Sequence, residues 1–136
     1  MLTTIEKVIF LQDIDIFKHT PTEDLAHIAA ITREVNVSED VVLFREGEIP
    51  DAIYMVIEGA VRLHKAGSEV MIAGSKDAFG TWALVDDEPR VVTATTIERS
   101  LLLKINREDF FDLLSDNIGI TQSLFKALVE KVRGLM

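Results

Sequence analysis

The stretch "AIYMVIEGAVRLHK", Ala52 to Lys65, restricts the possible folds more than any other part of the chain. Ile53, Met55, Ile57, Val61 and Leu63 recur at every second position, the period of an extended strand with one buried face. Gly59 interrupts the run where a tight turn or bulge needs a residue without Cβ. Gly47, Gly59, Gly67, Gly74 and Gly80 punctuate the surrounding sequence at short intervals, so several short strands separated by turns are expected, as in a sandwich or barrel-like roll. Val91, Thr93, Thr95 and Ile97 continue the alternation, "ERS" makes a turn, and "LLLKI" completes a β section over residues 31–105.

Helical patterns flank that section. In "TTIEKVIFLQDIDIF", Ile5, Val8, Ile9 and Gln12 have the spacing of one helix face. In "TPTEDLAHIAAI", Thr20 is placed to cap a second helix, with Pro21 at its first position and Glu23 at the capping-box spacing. The predicted N-terminal helices occupy residues 1–30. After the strands, Asn106 is a suitable N-cap, and Glu108 and Asp109 favour the positive end of the helix that follows. Leu124, Leu128 and Val132 form a stripe on the last segment, with Phe125 and Val129 beside it. Two partners for that stripe are open, the roll itself or a second subunit. Residues 106–136 are therefore read as C-terminal helices, and the whole chain, 1–136, as a single α+β domain dominated by antiparallel strands.

The 136 residues are 48% hydrophobic, enough for a sizeable core, and no cysteine is present, which excludes disulfides and thiolate chemistry. A formal charge of −9 and an isoelectric point near 4.7 disfavour broad contacts with nucleic acid or anionic membranes, because such affinity comes from neutralising phosphates with Lys and Arg. Capture of one small anion is compatible with that balance, since local field decides it. No apolar run approaches the roughly 20 residues of a spanning helix, and the start, with Glu6, lacks the basic region of a signal peptide. A cytoplasmic location is expected. His19, His27 and His64 have no ligand spacing, and neither a Ser-His-Asp arrangement nor a Gly-x-Ser-x-Gly elbow occurs, so a cupin-like metalloenzyme or a hydrolase is not expected, and no cofactor.

The segment "AFGTWALVDDEPRVVTATT" has its own chemistry. A turn opened by Gly80 leaves backbone N–H groups without helical acceptors, directed beyond the turn. Small Ala83 lets a ligand approach that backbone. Pro89 fixes the chain direction before Arg90, whose planar guanidinium can hold two phosphate oxygens at once. Trp82 has two readings, stacking on a base or filling the core beside Phe79. The carboxylates Asp86, Asp87 and Glu88 read as a solvated loop rather than a metal site, and they are near enough in sequence to pair with Arg90 in an empty pocket.

Two stretches carry a family resemblance. "VLFREGEIPDAIYMVIEGAVRLH" is similar to the signature of cyclic-nucleotide-binding domains, seen in catabolite-activator-type regulators and protein kinase A regulatory subunits, at Phe44, Gly47, Asp51, Tyr54, Val56 and Gly59. "FGTWALVDDEPRVVTA" resembles the family's phosphate-binding cassette, here residues 79–93. The resemblance covers essentially the whole chain and implies a jelly-roll-like double-stranded β-helix. It also implies a ligand site at Phe79, Gly80, Thr81, Trp82, Ala83, Arg90, Val91, Val92 and Thr93, holding cAMP or a related cyclic nucleotide. Ligand closure of the cassette would then be relayed to the C-terminal helices and on to an effector domain or protein partner, with a homodimer through the last helix as a further possibility. No direct nucleic-acid contact is expected of this chain.

The cassette departs from the family pattern in two places. Thr81 replaces the glutamate that would hold the ribose 2′-hydroxyl. Hydrogen bonds to charged groups contribute roughly 1.5–3 kcal/mol, so affinity is expected to fall about 10- to 100-fold. Val91 and Val92 replace residues that are usually small or hydroxylated. These departures support the alternative reading, a member that binds no cyclic nucleotide and serves as an interaction or dimerisation module.

Overall fold

The computed structural model describes residues 1–81 and 87–135. Among the described residues, helix α1 (Thr4–Gln12), a 3-10 turn (Asp15–Phe17) and α2 (Thr22–Ala30) precede eight strands, and two helices follow them. The strands are β1 (Thr32–Val37), β2 (Val42–Phe44), β3 (Ala52–Glu58), β4 (Val61–Lys65), β5 (Ser68–Ala73), β6 (Ala78–Phe79), β7 (Thr93–Thr96) and β8 (Ser100–Asn106); α3 (Arg107–Asp116) and α4 (Ile118–Gly134) complete the order. The strands form two four-stranded antiparallel sheets, ordered β1-β8-β3-β6 and β2-β7-β4-β5. The fold is the expected antiparallel β-roll with helices at both ends.

Strand β3 organises the interior, because its two faces enter different cores. Ile53 and Met55 point into a helical core with Leu11, Phe17, Leu25 and Phe110. Ala52, Tyr54 and Val56 point into the roll, where they meet Phe44, Val61, Leu63 and Leu102. The alternation read from the sequence is real, yet Ile53, Met55, Ile57, Val61 and Leu63 do not share one face. Ile57 still packs on the helical core, but the chain changes sheet at Gly59, so Val61 and Leu63 face the roll interior. Gly59 has φ +108°, and a Cβ there would lie 2.7 Å from the Ser100 Cα, so only glycine fits this crossing.

Strand β7 also corrects an expectation. Ala94 and Thr96 are buried, whereas Thr93, Thr95 and Ile97 are half-buried and Val91 is exposed. The register explains this. Ala94 lies opposite both Phe44 and Leu63, which face inward, while Thr95 lies opposite the exposed Arg62.

The helix starts differ in detail from the sequence reading. Thr3 and Glu6 form a reciprocal capping box on α1, and Val8 and Leu11 face the core while Ile5 and Ile9 are exposed. The predicted stripe is thus rotated by about one residue, with Leu11 in place of Gln12. The Thr20–Glu23 capping box does not form. Pro21 takes the N-cap position of α2, so Thr20 stands one residue too early, and its buried hydroxyl has no partner among the described residues. Asn106 is the N-cap residue of α3, but its side chain makes no capping bond.

Helix α4 buries Ile120, Leu124 and Ala127. Of the predicted stripe, only Leu124 is buried; Phe125, Leu128, Val129 and Val132 are exposed. Ion pairs hold the helix against the 3-10 turn, with Glu130 meeting Lys18 at 3.1 Å and His19 at 2.7 Å, and Lys131 meeting Asp15 at 2.8 Å. The Lys18 and His19 hydrogen bonds lower the Glu130 carboxyl to about 2, the His19 bond contributing most. The Lys131 hydrogen bond likewise lowers that of Asp15. No helix among the described residues is long and apolar enough to cross a membrane.

Candidate functional site

The roll core does not close. A cavity of about 600 Å³ opens between the sheets at the β6 end, within the range typical of small-molecule sites. Phe44, Leu63, Ala78 and Phe79 line its interior, Val70 and Met71 of edge strand β5 form one side, and residues from Glu88 to Val92 form another. An aromatic group supports the floor, where Tyr54 and Phe79 stack at 5.3 Å and Phe44 lies 6.0 and 6.1 Å from them.

Arg90 sits in this wall with its side chain only 4% exposed. Its Nη2 donates to the Ala52 carbonyl at 2.7 Å and approaches Asp51 Oδ1 at 3.5 Å, and its Nη1 donates to the Gly80 carbonyl at 3.2 Å. The guanidinium also lies 3.9 Å from the centre of the Phe44 ring, within cation–π range. The Nε–H is buried with no partner among the described residues. Burial pushes the Arg90 pKa down and the Asp51 carboxylate opposes that shift; the group still stays charged. Burial, followed by Asp51, pushes the neighbouring Tyr54 phenol up.

The backbone fixes this position. Arg90 donates its N–H to the Glu48 carbonyl at 2.7 Å, and its own carbonyl accepts from Gly47 at 2.8 Å. The reciprocal pair clamps the arginine to the loop after β2. Gly80 has φ +75°, and a Cβ there would fall 2.8 Å from Arg90 Nη1, so this glycine gives the guanidinium its space.

The other expected site residues are distributed as follows. Phe79, Gly80, Thr81, Val91 and Val92 line the cavity with Arg90. Phe79 is buried, Val92 packs against the roll core, and Val91 is exposed. Thr93 lies on β7 opposite His64, where its hydroxyl accepts from the Glu46 N–H at 3.0 Å, so it supports the loop before Asp51. Trp82 and Ala83 lie outside the described residues. Of the acidic loop, Asp86 also lies outside the described residues, and a carboxylate from outside that loop approaches Arg90 at 3.5 Å. It belongs to Asp51, while Asp87 pairs with Arg107 at the start of α3.

Sequence reasoning did not assign Pro50, Leu63, Val70, Met71, Ala78 or Glu88 to the site. The crossing of the two sheets brings Leu63, Val70 and Met71 to it, whereas Ala78 and Glu88 adjoin the cassette in sequence. Phe44 and Asp51 were visible as motif positions, but the contact each makes with Arg90 was not.

A profile described as the cyclic nucleotide-binding domain matches residues 34–117, and the chain belongs to that family. It is 28% identical over 114 residues to the "CRP-like cAMP-activated global transcriptional regulator" of Mycobacterium tuberculosis, a match covering 78% of this chain and 51% of that protein. It is also 28% identical over 109 residues to the "cAMP-dependent protein kinase regulatory subunit" of Dictyostelium discoideum, covering 74% and 33% respectively. The chain therefore spans about half the length of the first relative and less of the second. Among solved structures, it superimposes on the N-terminal domain of a transcriptional regulator from Streptomyces coelicolor with a TM-score of 0.85 and 26% identity, covering 93% of this chain and 94% of that one.

Proposed function

We propose that this chain is a regulatory sensor module that binds a cyclic nucleotide of the cAMP kind and relays the event to its C-terminal helices. The observation that carries this reading is the Arg90 guanidinium. It is buried in the wall of an open cavity, anchored on one side by backbone carbonyls, with an Nε–H that has no partner among the described residues. A cyclic phosphate brings one negative charge and oxygens able to accept from such a group. The family membership and the relative whose name says it is cAMP-activated support the choice of ligand.

The relay has a physical path. Arg107, the first residue of α3, ion-pairs with Asp87 three residues before Arg90 and donates its N–H to the Asp51 carbonyl at 2.9 Å. Its guanidinium lies 4.9 Å from the centre of the Phe111 ring. These contacts support a route from Arg90 through Asp51 to α3. The exposed apolar face of α4, with Phe125, Leu128 and Val132, provides a surface for a second copy or an effector.

Titration calorimetry with cAMP and cGMP tests the reading. Wild-type protein is expected to give saturable heat with at least one of them. Arg90→Gln should weaken that binding at least thirtyfold, since truncating one partner of a buried charged contact costs roughly 2–5 kcal/mol. Thr81→Glu should tighten cAMP binding about tenfold by restoring a charged acceptor. Absence of heat from both nucleotides at millimolar concentration would overturn the assignment.

A further inference from the structure

The composition of the cavity wall favours a broader ligand class than cyclic nucleotides. Among the described lining residues, only Thr81, Glu88 and Arg90 bring polar side chains; Phe44, Leu63, Met71, Val91 and Val92 bring hydrocarbon. The side chains of these described residues offer a sugar hydroxyl or a base edge few hydrogen-bonding partners, whereas a flat apolar body meets wall on several sides. Leu63 and Met71 lie directly opposite each other on adjacent strands, and Met71 remains 44% exposed although it lines this inner side. Its thioether side chain adapts to flat partners of different shape.

The charge of the ligand is also restricted. Arg90 is the one cation among the described lining residues, and Asp51 Oδ1 already stands 3.5 Å from its Nη2. A single negative charge is matched by Arg90. A second would have no cation of its own among the described lining residues.

We infer that the site accepts apolar monoanions, with an acidic head at Arg90 and a flat hydrocarbon or aromatic body between β4–β5 and Val91–Val92, and that a sugar is not required. The inference rests on the reading of this cavity as the ligand site, but it does not depend on cyclic nucleotides being the ligand. Aromatic carboxylates and phosphodiesters with an apolar ester group share the chemistry.

Calorimetry with matched probes separates the two requirements. 2-Naphthoate carries both charge and body, acetate only the charge, and 2-naphthol only the body at neutral pH. Naphthoate should bind with a stoichiometry of about one and at least roughly fiftyfold more tightly than acetate, as burial of the ring's apolar surface implies. It should also bind at least about tenfold more tightly than 2-naphthol. Arg90→Gln should remove the advantage over naphthol. Met71→Glu, a change at an exposed edge, should weaken naphthoate at least tenfold while leaving the melting transition in place.

Naphthoate binding no tighter than acetate, or unaffected by Met71→Glu in folded protein, would overturn the inference. A parallel cAMP titration keeps the two readings apart. Binding of cAMP without naphthoate leaves the sensor proposal standing and removes this one. Binding of naphthoate without any cyclic nucleotide does the reverse, and silence from both removes both.

Discussion

The two faces of β3 make the same kind of wall for opposite ends. On one face, Ile53 and Met55 are sealed beneath α1, α2 and α3 in a core whose members are almost wholly inaccessible. On the other, Ala52, Tyr54 and Val56 back a roll interior that stops short of closure and leaves about 600 Å³ of space. The first core can contribute stability through every side chain in it. The second gives up part of that contribution to keep a cavity, and places a charged group in the gap. Arg90 is tolerated there because carbonyls of Gly80 and Ala52 and the Phe44 ring replace much of its hydration.

This contrast predicts that stability and binding separate by face. The largest effect is expected from Phe110→Ala, at a fully buried position of the sealed core. It should destabilise the fold by about 3–5 kcal/mol in urea titration while changing ligand affinity less than about threefold in protein that remains folded. A large change in affinity would mean that the two cores are not separable.

Gly80→Ala comes next. It lies on the open side, at a left-handed backbone position beside the guanidinium. A cost of about 1–3 kcal/mol is expected, accompanied by weaker binding, because the added Cβ meets Arg90. Unchanged affinity in this variant would show that the position of Arg90 does not govern the cavity. Val91→Ser, at the exposed rim, should alter stability by less than about 0.5 kcal/mol yet change the relative affinities for cAMP and cGMP in paired titrations.

The smallest expected effect lies away from both cores, at the ion pairs of α4. The Glu130 carboxyl is held at about 2 in the folded chain, below its ordinary 4.5. Its stabilising contribution is therefore complete above pH 4.5 and is lost as pH falls toward 2. Glu130→Gln should lower the melting temperature slightly at pH 6 and should converge with the wild type at the acid end of that window. Parallel curves across the whole range would show that the pairs with Lys18 and His19 do not form in solution.

The same contrast explains what was legible in the sequence. Strands, flanking helices and the order of elements follow from short-range periodicity and turn residues, and the roll was visible from them. Which face a strand presents is a long-range property. Val61 and Leu63 share the period of Ile53 but reach another core because Gly59 carries the chain into the second sheet. Ala94 is inward for a similar reason, set by its partners Phe44 and Leu63. Within the site, Arg90 and Gly80 stood out because charge and a Gly-opened turn are local signals. Met71, Leu63 and Pro50 carry no local signal of a ligand wall, and only tertiary pairing brings them to it. The Thr20 capping box failed by a single residue, a shift that Pro21 at the N-cap imposes.

The central proposal is that the Arg90 guanidinium receives an anionic ligand, and nitrogen-15 NMR of the arginine side chains tests it most directly. The Arg90 Nε–H resonance, assigned by its loss in Arg90→Gln, should shift with added cAMP or naphthoate and saturate together with the calorimetric binding curve. A resonance that stays in place while ligand saturates the protein would contradict the account.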